Sequence, residues 1–255
     1  MNGTGPEAMV FAHGFGCDQN MWRFVEPEFR RDFKTVLYDL TGCGNSDTSQ
    51  YDFKKYATLD GHADDLIAIL DELNLTGITF VGHSVSAMTG LVASLRQHGR
   101  FRRMIMVAPS PCYINDRDYI GGFEASQIES LLSTLDLNYL GWSRSMAQKI
   151  MGNPARPELG QELASSFCSN DPKIASHFAR TTFYGDHRKD LPLCRTPSLI
   201  LQCSEDLIAP LDVGYYLQKN LADSQLVIMK ATGHCPNLSA PQEMIACMRA
   251  YLEPS

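Results

Sequence analysis

Six short apolar runs, none of them alternating with polar residues, set narrow limits on what this chain can fold into. They are residues 8–12 (AMVFA), 35–38 (TVLY), 78–81 (ITFV), 104–107 (MIMV), 198–202 (SLILQ) and 226–229 (LVIM). A strand with one solvated face shows apolar and polar residues in turn. A run that is apolar throughout needs cover on both faces, as a strand inside a parallel sheet has. Helical patterns lie between the runs, at 59–73, 86–97, 213–221 and 241–252. In the first, Leu66, Ile67, Ile69, Leu70 and Leu73 recur at helical spacing, while Asp64, Asp65, Asp71 and Glu72 read as a solvated face. Strand and helix alternate, so the expected class is α/β, a mostly parallel sheet flanked by helices and joined by right-handed crossovers.

Between Ser110 and Pro197 the strand signal stops. Helical pieces at 124–138, 142–151, 157–167 and 173–183 read as an insertion capping one edge of the sheet. The expected organisation is a core of residues 1–110 and 197–255, with a helical cap over 111–196. At the other end, Asn2-Gly3-Thr4-Gly5-Pro6 reads as a hairpin turn that lacks its preceding strand, which would shorten an antiparallel edge.

The net charge of −7 and the pI near 5.5 argue against a general nucleic-acid partner, which would need a basic face. No aliphatic run is long enough to cross a bilayer, and residues 1–8 have neither a basic nor an apolar leader region. Eight cysteines without a C-x-x-C pair read as free thiols in a reducing, cytoplasmic compartment. Seven histidines without H-E-x-x-H or paired Cys spacing give no metal site, and no cofactor is expected.

The sharpest local signal is Gly82-His83-Ser84-Val85-Ser86, where an apolar strand ends and a small-residue helix begins. That is a G-x-S-x-G nucleophile elbow with Ser86 in place of the last glycine. Strand and helix come close at such a turn, so small residues are needed two before and two after the serine. Gly82 and Ser86 both meet that demand. A serine nucleophile requires a base and an orienting acid. Asp206 follows the fifth run, with Glu205 as the competing acid, and His234 follows the sixth, after Gly233. All three candidates fall just past the carboxyl ends of strands, the edge where open parallel sheets bind ligands. The oxyanion donors are expected to be the N–H of Val85 and, from His13-Gly14-Phe15-Gly16 after the first run, that of Phe15.

Other features receive blander readings. Gly42-Cys43-Gly44-Asn45-Ser46-Asp47 lacks the third glycine of a dinucleotide fingerprint and reads as a bent loop. Cys17 and Cys235 have no spare histidine to activate them and read as packing residues. His83 should point away from the nucleophile by strand alternation and receives a packing role. The cap segment is rich in large apolar side chains (Tyr113, Phe123, Tyr139, Trp142, Met146, Phe167, Phe178, Phe183), about half of which should face a cavity suited to a small apolar ester or lactone.

Gly82-His83-Ser84-Val85-Ser86-Ala87-Met88 resembles the RsbQ-like α/β-hydrolases, the group that includes a bacterial stress regulator and the plant karrikin and strigolactone receptors. Further matches are His13-Gly14-Phe15-Gly16-Cys17-Asp18-Gln19, Leu37-Tyr38-Asp39, Ser110-Pro111-Cys112-Tyr113-Ile114-Asn115-Asp116, Gly121-Gly122-Phe123-Glu124 and Gly233-His234-Cys235-Pro236. Phe167-Cys168-Ser169-Asn170-Asp171-Pro172 and Leu199-Ile200-Leu201-Gln202-Cys203 look closer to the bacterial branch. The likeness runs from Gly3 to the end of the chain.

The resemblance implies an α/β-hydrolase core with a V-shaped cap of four helices. It places the catalytic triad on Ser84, Asp206 and His234, the oxyanion donors on Phe15 and Val85, and the pocket on Phe15, Tyr113, Phe123, Trp142, Met146 and Phe183. Met146 stands where many relatives carry Phe. Two functions are implied together: slow hydrolysis of a small apolar ester or lactone, and a signalling role in which the cap engages a protein partner. In the bacterial branch that partner is a PP2C-type phosphatase, and in plants it is an F-box protein.

Overall fold

Six parallel strands in the order β2-β1-β3-β4-β5-β6 form the centre of the computed structural model, which describes residues 1–253. They are β1 (Glu7–Ala12), β2 (Phe33–Tyr38), β3 (Ile78–His83), β4 (Phe101–Val107), β5 (Ser198–Glu205) and β6 (Ser224–Thr232). Each contains one of the expected apolar runs. The reason for the missing alternation is visible in β1: Ala8, Val10 and Ala12 pack into the layer on one face, and Met9 and Phe11 into the layer on the other.

The helices are α1 (Leu59–Glu72), α2 (Val85–Arg96), α3 (Ala125–Leu137), α4 (Tyr139–Met151), α5 (Pro157–Cys168), α6 (Pro172–Phe183), α7 (Leu211–Asn220), the short α8 (Pro236–Ser239) and α9 (Pro241–Leu252). Helices α1, α2 and α7 cover one face of the sheet. Helix α9 and two 3₁₀ turns, Gln19–Trp22 and Glu26–Phe29, cover the other. Helix α1 begins where the Thr58 side chain accepts the Asp60 N–H, and it buries Leu59, Ala63, Leu66 and Leu70 at helical spacing. Its acidic face is solvated as expected at Asp64, Asp71 and Glu72, and only Asp65 is partly buried. Asp65 accepts from Thr41, Tyr56 and Lys55, while Asp64 and Asp71 pair with Arg96 and Arg100.

The Asn2–Pro6 turn crosses the start of β2. Asn2 exchanges two 2.8 Å backbone bonds with Thr35 in an antiparallel bridge, and the chain then enters β1 on the other side of β2. From β1 the chain builds β2 on one side and returns to build β3 on the other. The loops after β1 and β3 therefore part at this reversal and leave a crevice at the carboxyl edge.

Helices α3 to α6 leave the sheet after β4 and form the layer above that crevice. Their ends are written locally: a Glu124–Gln127 capping box on α3, Asn138 capping α4, Asp171 capping α6 and prolines opening α5 and α6. Helix α4 packs along α5, and α3 against α6, around Ile128, Leu132, Leu135, Ala147, Leu163 and Phe167.

Besides His234, three histidines are buried in this frame. His13 accepts the Leu40 N–H at 3.0 Å, and His62 lies between the rings of Tyr56 and Phe178, each 4.7 Å away. His83 is the last residue of β3. Burial holds all three below the ordinary imidazole range, His62 at about 4 and His83 at about 3. In the unfolded chain each takes up a proton near pH 6.5 (about). Below that pH the unfolded state binds more protons than the native one, so stability falls as the pH drops. We expect Tm, measured calorimetrically, to decline steadily from about pH 6.5 to about pH 5, above the main carboxylate range. A flat Tm across that window would contradict this account of the three rings.

Candidate active site

Ser84 joins β3 to α2 at φ 55° and ψ −123°, a conformation that few non-glycine residues adopt. The strain is held in place by the surroundings: the Ser84 N–H donates to the Val107 carbonyl at 2.8 Å, and α2 starts at the next residue. Gly82 is sterically required, because a Cβ there would stand 2.7 Å from the Ser86 carbonyl oxygen and 2.8 Å from the Ala87 nitrogen. Ser86, where the elbow pattern has glycine, is fully buried and donates its hydroxyl to the His13 carbonyl. It ties the elbow helix to the loop after β1, a bond that glycine could not make.

The side chains of Asp206, His234 and Ser84 form one hydrogen-bonded line. Asp206 Oδ2 lies 2.7 Å from His234 Nδ1, and His234 Nε2 lies 2.8 Å from Ser84 Oγ. A carboxylate only accepts, so Nδ1 carries the proton and donates it, and Nε2 is left to accept the serine O–H. The other Asp206 oxygen accepts the N–H groups of Ile208 (2.8 Å) and Ala209 (3.2 Å). The carboxylate side chain is thus wholly enclosed, whereas Glu205 is exposed and meets the histidine loop only through its backbone carbonyl. Such a line can transfer a proton from the hydroxyl to the imidazole as the oxygen attacks an electrophile.

Val85 opens α2, so its N–H is among the first-turn amides that have no partner within the helix. Phe15 follows Gly14 in the loop after β1. Gly14 brings that loop against the elbow; a Cβ there would stand 2.5 Å from His83 Nδ1 and 3.4 Å from Ser84 Cβ. The two amides expected as oxyanion donors therefore belong to segments in contact beside Ser84.

Above the serine is a small apolar cavity of about 30 Å³. Ser84, His234, Phe15, Tyr113, Phe167 and Phe183 contribute to its wall, with Ile150, Leu163, Thr182 and Ile208 completing it from α4, α5, α6 and the loop after β5. Of the six pocket residues expected from the sequence, Phe15, Tyr113 and Phe183 stand at this wall. Phe123, Trp142 and Met146 do not. Phe123 packs behind Phe183 with ring centres 6.4 Å apart, and Trp142 stacks on Phe167 at 5.9 Å and meets Phe15 edge-on at 6.3 Å. Met146 lies with Trp142 in a separate surface groove between α3 and α4. Apolar residues at helical spacing mark a buried face, but not whether that face meets a cavity or another side chain. Cys17 and Cys235 also reach the wall, and burial raises both thiols above their ordinary range, which fits packing rather than reactivity. The Gly42–Asp47 loop is bent as expected, with Ser46 Oγ accepting the Gly42 N–H and donating its one hydrogen to the Cys43 carbonyl at 2.7 Å, with the Leu40 carbonyl at 3.0 Å as the alternative acceptor.

Residues 9–246 match the family model described as the alpha/beta hydrolase family. The chain belongs to that family. Strigolactone esterase D14 of Arabidopsis thaliana is 38% identical to this hydrolase over 98% of the chain and 94% of the relative. Karrikin insensitive 2 receptor IA of Petunia hybrida is 37% identical over 98% and 92%. Among solved structures, a hydrolase from Oleispira antarctica superposes with a TM-score of 0.96 at 38% identity, covering 100% of this chain and 93% of that one. The plant esterase and the bacterial hydrolase thus stand at the same identity.

One residue of this hydrolase does more than the sequence suggested. His83 was expected to point away from the nucleophile and only to pack, yet it lines the same cavity as Ser84, its Nε2 donates to the backbone carbonyl of His234 at 2.8 Å, and the two rings lie 5.2 Å apart. The available signal was its place directly before the nucleophile at the carboxyl edge.

Proposed function

We propose that this hydrolase cleaves small apolar esters or lactones, slowly, with Ser84 as nucleophile, His234 as base and Asp206 as the orienting acid. The observation that carries this reading is the continuous Asp206–His234–Ser84 line opening onto an apolar cavity. Ser84 Oγ attacks the ester carbonyl carbon while His234 Nε2 takes the hydroxyl proton, and the carbonyl oxygen becomes an oxyanion. The N–H groups of Val85 and Phe15 receive that charge, each such donor being worth roughly 3 kcal/mol. Collapse breaks the bond to the alkoxide leaving group, which takes the proton from His234. Water then attacks the acyl-serine, with His234 again holding and returning the proton. Asp206 keeps Nδ1 protonated throughout and stabilises the imidazolium.

A second role in signalling is compatible with this chemistry. Relatives bear both esterase and receptor names, and a cavity of about 30 Å³ cannot take an ester until the cap helices or the aromatic side chains move. That movement is the change a partner docked on the cap would read. The resemblance of the cap to the bacterial branch points to a PP2C-type phosphatase ahead of an F-box protein, in the cytoplasm, where eight free thiols are stable. Among the described residues no helix is long and apolar enough to cross a membrane.

The test is intact-mass spectrometry after incubation with a panel of p-nitrophenyl esters and butenolides. We expect an acyl adduct on Ser84, or a ring fragment on His234, with at least one member of the panel and with none in Ser84→Ala. Absence of both adduct and turnover across the panel would overturn the reading.

A further inference from the structure

The base of the triad stands on a buried loop at the edge of the sheet, packed between the core and the cap. His234 follows β6, the half-exposed edge strand of the sheet, yet its two hydrogen bonds to Asp206 and Ser84 demand a fixed backbone. The core anchors the loop itself through His83 on the His234 carbonyl and the Glu205 carbonyl on the Gly233 N–H (2.6 Å), and its flanks through Glu243, which accepts the Lys230 and Ala231 N–H groups, and Asn237, which donates to the Met21 carbonyl. The other anchors come from the cap.

Helix α4 ends against this loop. Its last carbonyls cannot all be satisfied within the helix, and the residue that would serve Ile150 is Pro154, which has no N–H. Instead the Ile150 carbonyl accepts the His234 N–H at 2.9 Å, and the Gly152 carbonyl accepts Thr232 Oγ1 at 3.3 Å. Asn153 Nδ2 donates to the Met151 carbonyl (2.7 Å) and the Thr232 carbonyl (3.0 Å), stitching helix end to loop. Arg156 Nη2 holds Asn153 Oδ1 and the Ser239 carbonyl, each at 2.8 Å. The approach is close enough to need glycine on both sides. A Cβ on Gly233 would stand 1.8 Å from the Met151 carbonyl oxygen, and one on Gly152 would stand 2.8 Å from Gly233 Cα.

We propose that the carboxyl end of α4 belongs to the catalytic machinery, with Asn153 and Arg156 as positioning residues that fix the His234 backbone from the cap side. The proposal rests on the triad reading above. Asn153→Ala removes both stitching bonds and one of the two bonds that Arg156 Nη2 makes, while every side chain of the triad is retained. The experiment is p-nitrophenyl acetate hydrolysis, with kcat expressed per active site titrated to completion by a fluorophosphonate. We expect Asn153→Ala to lower kcat by about tenfold or more, since small misplacements of a catalytic group are costly, with KM within about twofold of wild type. The rate of phosphonylation should fall by a similar factor. Arg156→Ala should act in the same direction, and Arg156→Lys, which keeps a donor for Ser239, should recover most of the loss. A merely structural clamp would reduce the number of titratable sites and leave kcat per site unchanged. Thr232→Val, nearly isosteric and lacking the bond to Gly152, gives the same readout if Asn153→Ala does not fold. Wild-type kcat per site in these variants, alongside an inactive Ser84→Ala, overturns the clamp alone. Turnover by Ser84→Ala overturns the triad reading and the clamp with it.

Discussion

Ser84→Ala should lose turnover of p-nitrophenyl acetate by roughly a millionfold, the scale seen when a triad nucleophile is removed, and should fold as the wild type does. The hydroxyl is the only group lost, and its one hydrogen bond is to His234 Nε2. The backbone bond from the Ser84 N–H to Val107 and the glycine at position 82 hold the elbow in its strained conformation whichever side chain it carries. Tm by circular dichroism should therefore stay within a few degrees of wild type, on the order of a change of 1 kcal/mol or less. Hydrolysis near the wild-type rate would remove Ser84 from the chemistry.

Asp206→Asn should cost roughly 10⁴-fold in kcat, and Glu205→Gln almost nothing. The loop decides the first result. The N–H groups of Ile208 and Ala209 both point at one oxygen of residue 206, so an asparagine must keep its carbonyl oxygen there and turn its NH₂ toward His234. An NH₂ group donates where the carboxylate accepted. The imidazole must then carry its proton on Nε2, where it can no longer accept the proton of Ser84. Glu205 touches the histidine loop only through its backbone carbonyl, which glutamine retains. Rates measured at one pH on both variants check the ranking, and the reverse order would assign the acid to Glu205.

Much of the frame was legible because the parallel sheet writes both of its buried faces into each strand. The six apolar runs located the strands, and the strand ends located Ser84, Asp206 and His234. Boundaries blurred where charge entered a strand. Residues Phe101-Arg102-Arg103 open β4, and their arginines hid its start. The 3₁₀ turns Gln19–Trp22 and Glu26–Phe29 are too short to leave a period. In the cap, helical spacing found all four helices but could not tell Phe167, which faces the cavity, from Trp142, which stacks behind it. On the acidic side of α1 only Asp65 departs from the solvated reading, because its partners Thr41 and Tyr56 lie on other segments of the chain. The grip on His234 was hidden for a different reason. It is made largely to backbone atoms, by Ile150, Gly152 and His83, and a backbone carbonyl looks the same in every residue.

The near-filled cavity over Ser84 has a kinetic consequence. With its wall as it stands the space over Ser84 is about 30 Å³, too small for an ester, so a ligand must wait for the wall to open. Arrival then takes two steps, an opening that does not depend on ligand and a capture that does. At low concentration the observed binding rate rises in proportion to ligand. At high concentration it bends to a ceiling equal to the opening rate, the same ceiling for every ligand that enters by this route. Chemically different esters would share one limiting speed, set by the opening of the wall over Ser84 rather than by the reactivity of the bond beneath it.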